Sequence, residues 1–292
     1  MTRQEKEPTS MRWRRFASIA AALALAAPAA AQEKPAAAKI SLTRLDCGTV
    51  RVNRLNAFSD TLAYPGQSRD LSVGCYLIRH GDQLMLWDAG LPNALKDAPF
   101  TTTGDMSATL RRSVIEQLAE LGIKSDEIDI VGVSHFHFDH IGQLPDFPAA
   151  KLHIGKGDWD WLTASDRPRW VDPKPFAHWI GGGGTVEPVE RDKDIFGDGS
   201  VVMFDMPGHT PGHHMLMVRL AGMGPVLLSG DQAHFQENYD SEGVPTFNTD
   251  RADTLASFNR FKGLAKQLGA TVIIQHEPRD IGKLPAFPKA AE

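Results

Sequence analysis

The segment HFHFDH places three histidines and an aspartate within six residues: His135, His137, Asp139 and His140. It directly follows IDIVGVS, an apolar run that is typical of a buried strand. Residues two apart on an extended chain point the same way, so His135 and His137 can approach one metal ion. After the chain turns, Asp139 and His140 face a second position. Imidazoles with one carboxylate suit zinc, whereas calcium and magnesium prefer oxygen ligands, so the spacing predicts a zinc site at a strand end.

The same segment resembles the HxHxDH signature of the metallo-β-lactamase superfamily. Later segments resemble the remaining ligand positions of that family: VVMFDMPGHTPGH carries His209, PVLLSGD ends in Asp231, and TVIIQHEP carries His276. The resemblance extends from about residue 40 to the C-terminus. It implies two zinc ions per chain, one held by His135, His137 and His209, the other by Asp139, His140 and His276, with Asp231 bridging the two.

Two residues are expected to support these ligands without binding metal. Asp88, in LWDAG, resembles the family's strand-end acid that braces the metal-binding loop. His213 and His214 follow the turn whose ligand position His209 already occupies. We therefore expect His213 to support the site or the structure, and His214 to pack in the next strand.

The elements that must position these residues form two strand-rich halves, each carrying helices. Helices are predicted over residues 107–121, capped by Ser107 and ended by Gly122, and around 253–268. Strand-like runs cover residues 40–52, 71–79, 83–87, 186–190 and 201–206, and the segments IDIVGVS, KLHIG, HMLMVRL, PVLLSGD and TVIIQH. Mostly antiparallel strands with helices outside favour an α/β (α+β) class. The resemblance implies an αββα sandwich, two mixed sheets with helices on both outer faces and the ligands on loops at one edge.

The N-terminus has the pattern of a signal peptide. Arg12, Arg14 and Arg15 precede the charge-free run FASIAAALALAA, which leads to small residues ending at Ala31. The run is too short to cross a bilayer, so no membrane anchor is expected. We expect a signal peptide over residues 1–31, a tether over 32–39 and a single catalytic domain over 40–292, with the mature protein periplasmic or secreted.

Charge and cysteine content limit the partners and the chemistry. The net charge is −5, and residues 1–31 carry more cations than anions, so the remainder is more acidic still. That balance argues against a nucleic-acid partner, while a homodimer is compatible with the sequence. Cys47 and Cys75 lie in strand-like segments that could pair as neighbours, and either a disulfide or two buried thiols would fit an exported protein.

Within the superfamily, HFHFDH followed by IGQL, SGD and HEPRDIGKLP is most similar to the N-acyl-homoserine lactonases. This implies opening of the lactone ring, as in quorum quenching. Zinc brings the pKa of bound water near neutrality, and the resulting hydroxide attacks the carbonyl. Asp139 is expected to handle the proton. The alternatives are a phosphotriesterase of the methyl-parathion-hydrolase type, a β-lactamase, and a zinc-binding protein without turnover.

The substrate-facing residues are less constrained by the sequence. Lactonases of this kind often carry a tyrosine three residues after the bridging aspartate, where this chain has His234. Its imidazole N–H could donate to the substrate carbonyl instead, or His234 is an ordinary loop histidine. The loop NAFSDTLAYPG offers Phe58, Leu62 and Tyr64 as pocket walls or as core residues, and Phe138 is expected to contact substrate.

A tryptophan-rich insertion follows the signature segment. Its aromatic residues could form a lid over the site or a small core of their own, and they are Trp159, Trp161, Trp170, Phe176 and Trp179.

Overall fold

Two β-sheets packed face to face form the centre of the fold, which a computed structural model describes for residues 38–292. The predicted signal peptide and most of the predicted tether lie outside the described residues. Among residues 38–292, none of the helices is both long and apolar enough to cross a membrane.

Seven strands form the first sheet: β1 (Ile40–Val52), β2 (Arg69–His80), β3 (Gln83–Trp87), β4 (Met106–Thr109), β5 (Ile130–Gly132), β6 (Lys151–Gly155) and β7 (Val186–Val189). Their order across the sheet is β4-β1-β2-β3-β5-β6-β7. The first four strands in this order pair antiparallel, and the pairings from β3 through β5 and β6 to β7 are parallel.

Five strands form the second sheet: β8 (Lys193–Asp194), β9 (Val201–Asp205), β10 (His214–Leu220), β11 (Gly224–Leu228) and β12 (Thr271–Ile273). Their order is β12-β11-β10-β9-β8, and only the β11–β12 pairing in this sheet of the described region is parallel. Both sheets are therefore mixed, and the predicted strand positions are confirmed.

The α-helices are α1 (Val114–Glu120), α2 (Phe138–Ile141), α3 (Lys156–Thr163), α4 (Ala177–Ile180), α5 (Gln236–Ser241) and α6 (Arg251–Leu268). Alternation along the strands separates an inner core from two outer ones. On β10, Leu216 and Val218 pack between the sheets, whereas Met215 and Met217 pack outward with Phe261 of α6. On the other side, α1 and α3 cover the outer face of the first sheet. The predicted αββα sandwich is confirmed.

The helix predicted over residues 107–121 is wrong in its first half. Residues Met106–Thr109 form the edge strand β4, which pairs with β1, and α1 begins only at Val114. The true cap is Ser113, whose hydroxyl accepts from Glu116 N while the Glu116 carboxylate accepts from Ser113 N. This S-x-x-E pair is a capping box, and it starts the helix six residues after Ser107.

The two cysteines form a disulfide between β1 and β2. Cys75 lies opposite Leu45 in the antiparallel register, beside an irregularity in β1 between Asp46 and Thr49. Both sulfur-bearing residues are buried, so the bridge is part of the core under the first sheet. Of the two states that the sequence allowed, the structure has the disulfide.

Candidate metal centre

The ligand-bearing segments are the loops that follow strands at one edge of the sandwich. The chain leaves β5 through the 133–137 loop and enters the short helix α2, which carries Asp139 and His140. His209 lies in the turn between β9 and β10, Asp231 in a turn after β11, and His276 after β12. Gly208, in the turn that carries His209, has a φ of 128°, and a Cβ there would lie 2.3 Å from Thr254 N. Only glycine fits this close approach.

The first group of candidate ligands contains three histidines. His135 Nε2 and His209 Nε2 each lie 2.9 Å from His137 Nδ1, and 3.1 Å from one another. Burial lowers the pKa of His135 and of His137 well below the usual value, and the neighbouring imidazoles add to the effect. Both rings are therefore neutral near pH 7, the form that binds metal.

The second group contains Asp139, His140 and His276. Nε2 of His140 and Nε2 of His276 lie 3.2 Å apart, and His276 Nε2 lies 3.6 Å from Asp139 Oδ2. Burial alone would lower the pKa of His140, but carboxylates, first that of Asp231, hold it well above the usual value.

Asp231 lies between the two groups and presents one oxygen to each. Its Oδ2 is 3.5 Å from His135 Nε2 and 3.2 Å from His209 Nε2, and its Oδ1 is 3.1 Å from His140 Nε2 and 2.9 Å from His276 Nε2. Burial would raise the pKa of Asp231, but the imidazoles around it, His276 first, hold that pKa well below the usual value. The carboxylate of Asp231 is therefore ionised.

These donor sets fit zinc. A tetrahedral zinc shell with bonds of about 2.0–2.1 Å places its ligand atoms roughly 3.3 Å apart, close to the spacings of both groups. Several nitrogen lone pairs aimed at one buried point repel each other unless a cation lies between them. The seven predicted ligands fall into two sets that can hold metal, joined by Asp231.

Asp88 contacts the candidate ligand His140 and its neighbours. It is fully buried, and its Oδ1 accepts from Ser134 N at 2.6 Å. Its Oδ2 lies 2.9 Å from His140 Nδ1 and accepts from Gln275 Nε2 at 2.7 Å. A carboxylate in this position orients the ring of His140 and makes its other nitrogen a better metal ligand.

His213 contacts the backbone of Asp231. Its Nε2 accepts from Asp231 N at 2.9 Å, so its Nδ1 carries the proton and donates to Met206 O at 3.0 Å. Because both ring nitrogens are used, His213 is not available to a metal. His214 begins β10, where its Nδ1 lies 2.8 Å from Gly212 O.

The match to known families extends over most of the described chain. Residues 69–276 match the model of the metallo-beta-lactamase superfamily. The chain belongs to this superfamily. The N-acyl homoserine lactonase AttM of Azorhizobium caulinodans is 29% identical over 191 residues, which is 60% of this chain and 67% of that protein. The N-acyl homoserine lactonase AiiA of Bacillus thuringiensis subsp. kurstaki is 24% identical over 232 residues, 77% of this chain and 89% of that protein.

Solved structures agree with the fold of this metallo-beta-lactamase superfamily member. An N-acyl homoserine lactone hydrolase, solved with the product N-hexanoyl-L-homoserine bound at its catalytic metal center, superposes with a TM-score of 0.73. The superposition covers 87% of this chain and 100% of that one, at 21% identity. At that identity, the likeness establishes the αββα architecture.

In this superfamily member, a cavity of about 190 Å³ opens onto the candidate ligands. Its polar side is formed by ligands and by His234, and its apolar wall by Val50, Phe58, Leu71, Met106, Phe138 and Phe247. Phe58 packs edge-on against His234 with ring centroids 4.8 Å apart. Phe58 and Phe138, two of the predicted substrate-facing residues, both line this cavity.

Tyr64 and Leu62 do not line this cavity. Tyr64 is buried behind Phe235, with ring centroids 5.3 Å apart, and its hydroxyl accepts from Asn238 Nδ2. Leu62 is 63% exposed. The loop folds so that only its first aromatic residue reaches the cavity, and core packing describes Tyr64.

A second cavity of about 410 Å³ adjoins the first and shares His137 and Phe138 with it. Trp170 forms one wall; it is 57% exposed, and its ring centroid lies 5.7 Å from that of Phe136. The insertion is thus neither a lid throughout nor a separate core. Phe176 and Trp179 are buried in the main cluster under the first sheet, and of the five aromatic residues only Trp170 lines the cavity.

Several residues around the centre were missed by the sequence reasoning. Phe247 and Asn248 come from the loop before α6: Phe247 lines the cavity, and Asn248 contacts His209. Gln275 and Ser72 contact Asp88 and His276. These residues match no local motif, although Gln275 precedes a predicted ligand.

Proposed function

We propose that this protein is a dizinc lactonase that opens the ring of N-acyl-homoserine lactones. The observation that carries the proposal is the pair of buried ligand groups sharing Asp231, at the floor of a cavity with an apolar wall. The names of the similar proteins, N-acyl homoserine lactonases, support the substrate class.

The donor chemistry of the seven ligands supports two zinc ions per chain. Bound there, zinc would supply a nucleophile from water near neutral pH and polarise the lactone carbonyl. The other tasks belong to the chain. Asp139 lies at the cavity wall beside His276, where its carboxylate can take a proton from the attacking water and deliver it to the leaving oxygen.

We assign to His234 the donation of a hydrogen bond to the carbonyl oxygen as charge develops on it. Its Nε2 lies 3.1 Å from Asp231 Oδ2, and because a carboxylate only accepts, Nε2 carries the proton. To serve the carbonyl oxygen, this N–H would exchange Asp231 Oδ2 for the substrate. Burial lowers the pKa of His234 to about 4, so the ring is neutral near pH 7. A donor in a buried site stabilises an oxyanion more strongly than the same donor in water.

The acyl chain has an apolar route away from the centre. Phe138 stands between the two cavities, and the larger one continues past Trp170 over Pro92, Ile141 and Pro145. An extended alkyl chain in this groove would remove apolar surface from water at about 25 cal/mol per Å². The groove should therefore bind a lactone that carries a hydrophobic acyl chain more tightly than a lactone ring without one.

A substrate panel tests the proposal. Zinc-loaded protein is assayed with N-acyl-homoserine lactones of several chain lengths, a phosphotriester, a β-lactam and a thioester. We expect the lactones to give the highest kcat/KM, and longer acyl chains to lower KM. Preference for the phosphotriester or β-lactam would assign the centre to that alternative, and zinc binding without turnover of any of the four classes would contradict an enzyme.

A further inference from the structure

A chain of hydrogen bonds runs from the N-terminus of α6 to His209, one of the three histidines of the first group. The Thr254 hydroxyl lies 2.6 Å from Asp250 O, the backbone carbonyl of the residue that caps α6. Asn248 Nδ2 lies 3.0 Å from Thr254 Oγ1, and Asn248 Oδ1 lies 2.8 Å from His209 Nδ1. Three hydrogen bonds, through the side chains of Thr254 and Asn248, thus connect the Asp250 carbonyl to His209.

The direction of every bond in this chain follows from its first member. A backbone carbonyl only accepts, so the Thr254 proton points at Asp250 O. The Thr254 oxygen can then only accept, which turns the NH₂ group of Asn248 toward it. The carbonyl oxygen of Asn248 therefore faces His209 and requires a proton on His209 Nδ1.

With its proton on Nδ1, His209 presents an unprotonated Nε2. That atom lies 2.9 Å from His137 Nδ1, 3.1 Å from His135 Nε2 and 3.2 Å from Asp231 Oδ2. The Nδ1-protonated form is the only tautomer of His209 whose Nε2 can bind a metal ion together with the other ligands of the first group. We propose that Asn248, oriented by Thr254, is a positioning residue that fixes the metal-binding tautomer and ring orientation of His209.

The backbone holds Asn248 at this distance. Thr249 N donates to His209 O at 3.2 Å, and Asp250 N donates to Gly208 O at 2.9 Å. Thr249 Oγ1 also donates to Gly208 O at 2.9 Å. The segment therefore runs beside the His209 turn, and the side chain of Asn248 spans a fixed gap.

The choice of an amide distinguishes the two groups. His140 of the second group lies against the carboxylate of Asp88, whereas His209 has a neutral partner. A carboxylate raises the basicity of a ligating imidazole more than a neutral acceptor does. Replacing Asn248 with aspartate should therefore keep the tautomer and bind zinc at least as tightly.

The inference rests on the proposed zinc centre but not on the substrate, so it is tested by metal binding and spectroscopy. The variants are Asn248→Leu, which is close in shape but cannot accept a proton, Asn248→Asp, and Thr254→Val. Thr246→Val is the matched control, because Thr246 lies in the same segment and its hydroxyl donates to Ala57 O, away from His209. Zinc affinity is measured by competition with a chelator, and the tautomer of His209 from imidazole ¹⁵N shifts.

We expect Asn248→Leu to weaken zinc binding by about 10- to 100-fold and to lose the single Nδ1-protonated state. Asn248→Asp should retain both, Thr254→Val should show a smaller loss, and Thr246→Val should match the parent. Parent-like zinc affinity together with an unchanged tautomer in Asn248→Leu would overturn the inference, as would failure of Asn248→Asp to retain zinc. Absence of zinc binding in the parent would refute the zinc centre itself, and the imidazole shifts would still decide the role of Asn248.

Discussion

His234→Phe removes the one donor proposed to act only in the transition state. Phenylalanine keeps an aromatic ring for the contacts with Phe58 at 4.8 Å and with His276 at 5.7 Å, so the packing of the cavity wall is largely preserved. It lacks the N–H that lies 3.1 Å from Asp231 Oδ2. The change therefore separates donation from shape.

The expected loss can be estimated from the type of interaction. Removing a single oxyanion donor typically costs about 100- to 1,000-fold in kcat, or roughly 2.7 to 4 kcal/mol. Because the proposed bond strengthens only as charge develops on the carbonyl oxygen, kcat and kcat/KM should fall together. His234→Tyr should recover much of the loss, since a hydroxyl returns a donor to the same wall.

Steady-state hydrolysis of a long-chain acyl-homoserine lactone by the parent and both variants, at equal zinc content, measures these effects. An unchanged kcat in His234→Phe would refute the proposed role. Loss of zinc from that variant would instead make His234 a support for Asp231, to which its Nε2 already points.

Three further predictions concern the bridge, the pH dependence of stability and the N-terminus. Asp231→Asn should weaken metal binding at the second group more than at the first, because Oδ1 lies 2.9 Å from His276 Nε2 whereas Oδ2 lies 3.5 Å from His135 Nε2. Elemental analysis after partial chelation checks this, and equal loss of metal from both groups would contradict it. Burial raises the pKa of Asp158 from 3.8 to about 7, so the stability from its bound proton is fully present below pH 3.8 and is lost as the pH rises through 7. Asp158→Asn in metal-free protein should therefore gain about 3 kcal/mol relative to the parent between pH 5 and pH 8, measured by urea unfolding, and a constant difference would argue against that pKa. Mass spectrometry of protein from its native host should find a mature N-terminus near Gln32, and an intact N-terminus would show that the signal peptide is not cleaved.

The candidate ligands could be predicted from sequence because each one lies in the segment that follows a strand. HFHFDH is a local pattern, and His209, Asp231 and His276 stand in segments whose apolar runs mark the preceding strands. Parallel and antiparallel strands bring their ends to one edge of the sandwich, so local signals suffice to assemble the centre.

Residues that act from a distance could not be found in this way. Asn248 is 39 residues from His209 in the chain, and only the packing of α6 beside the His209 turn brings the two together. The helix predicted from Ser107 failed for a related reason, because residues 107–109 pair with β1 as part of the edge strand β4, and this pairing overrides the helical pattern. Phe58 and Tyr64 are aromatic residues of the same loop, and only their tertiary contacts distinguish Phe58, in the cavity wall, from Tyr64, in the core.

A zinc titration of metal-free protein, with lactone hydrolysis followed at each addition, tests the central claim most directly. The two ligand groups joined by Asp231 predict that activity rises until two equivalents of zinc are bound and then stays constant. Full activity at one equivalent, or hydrolysis that persists in the metal-free protein, would contradict a dizinc lactonase.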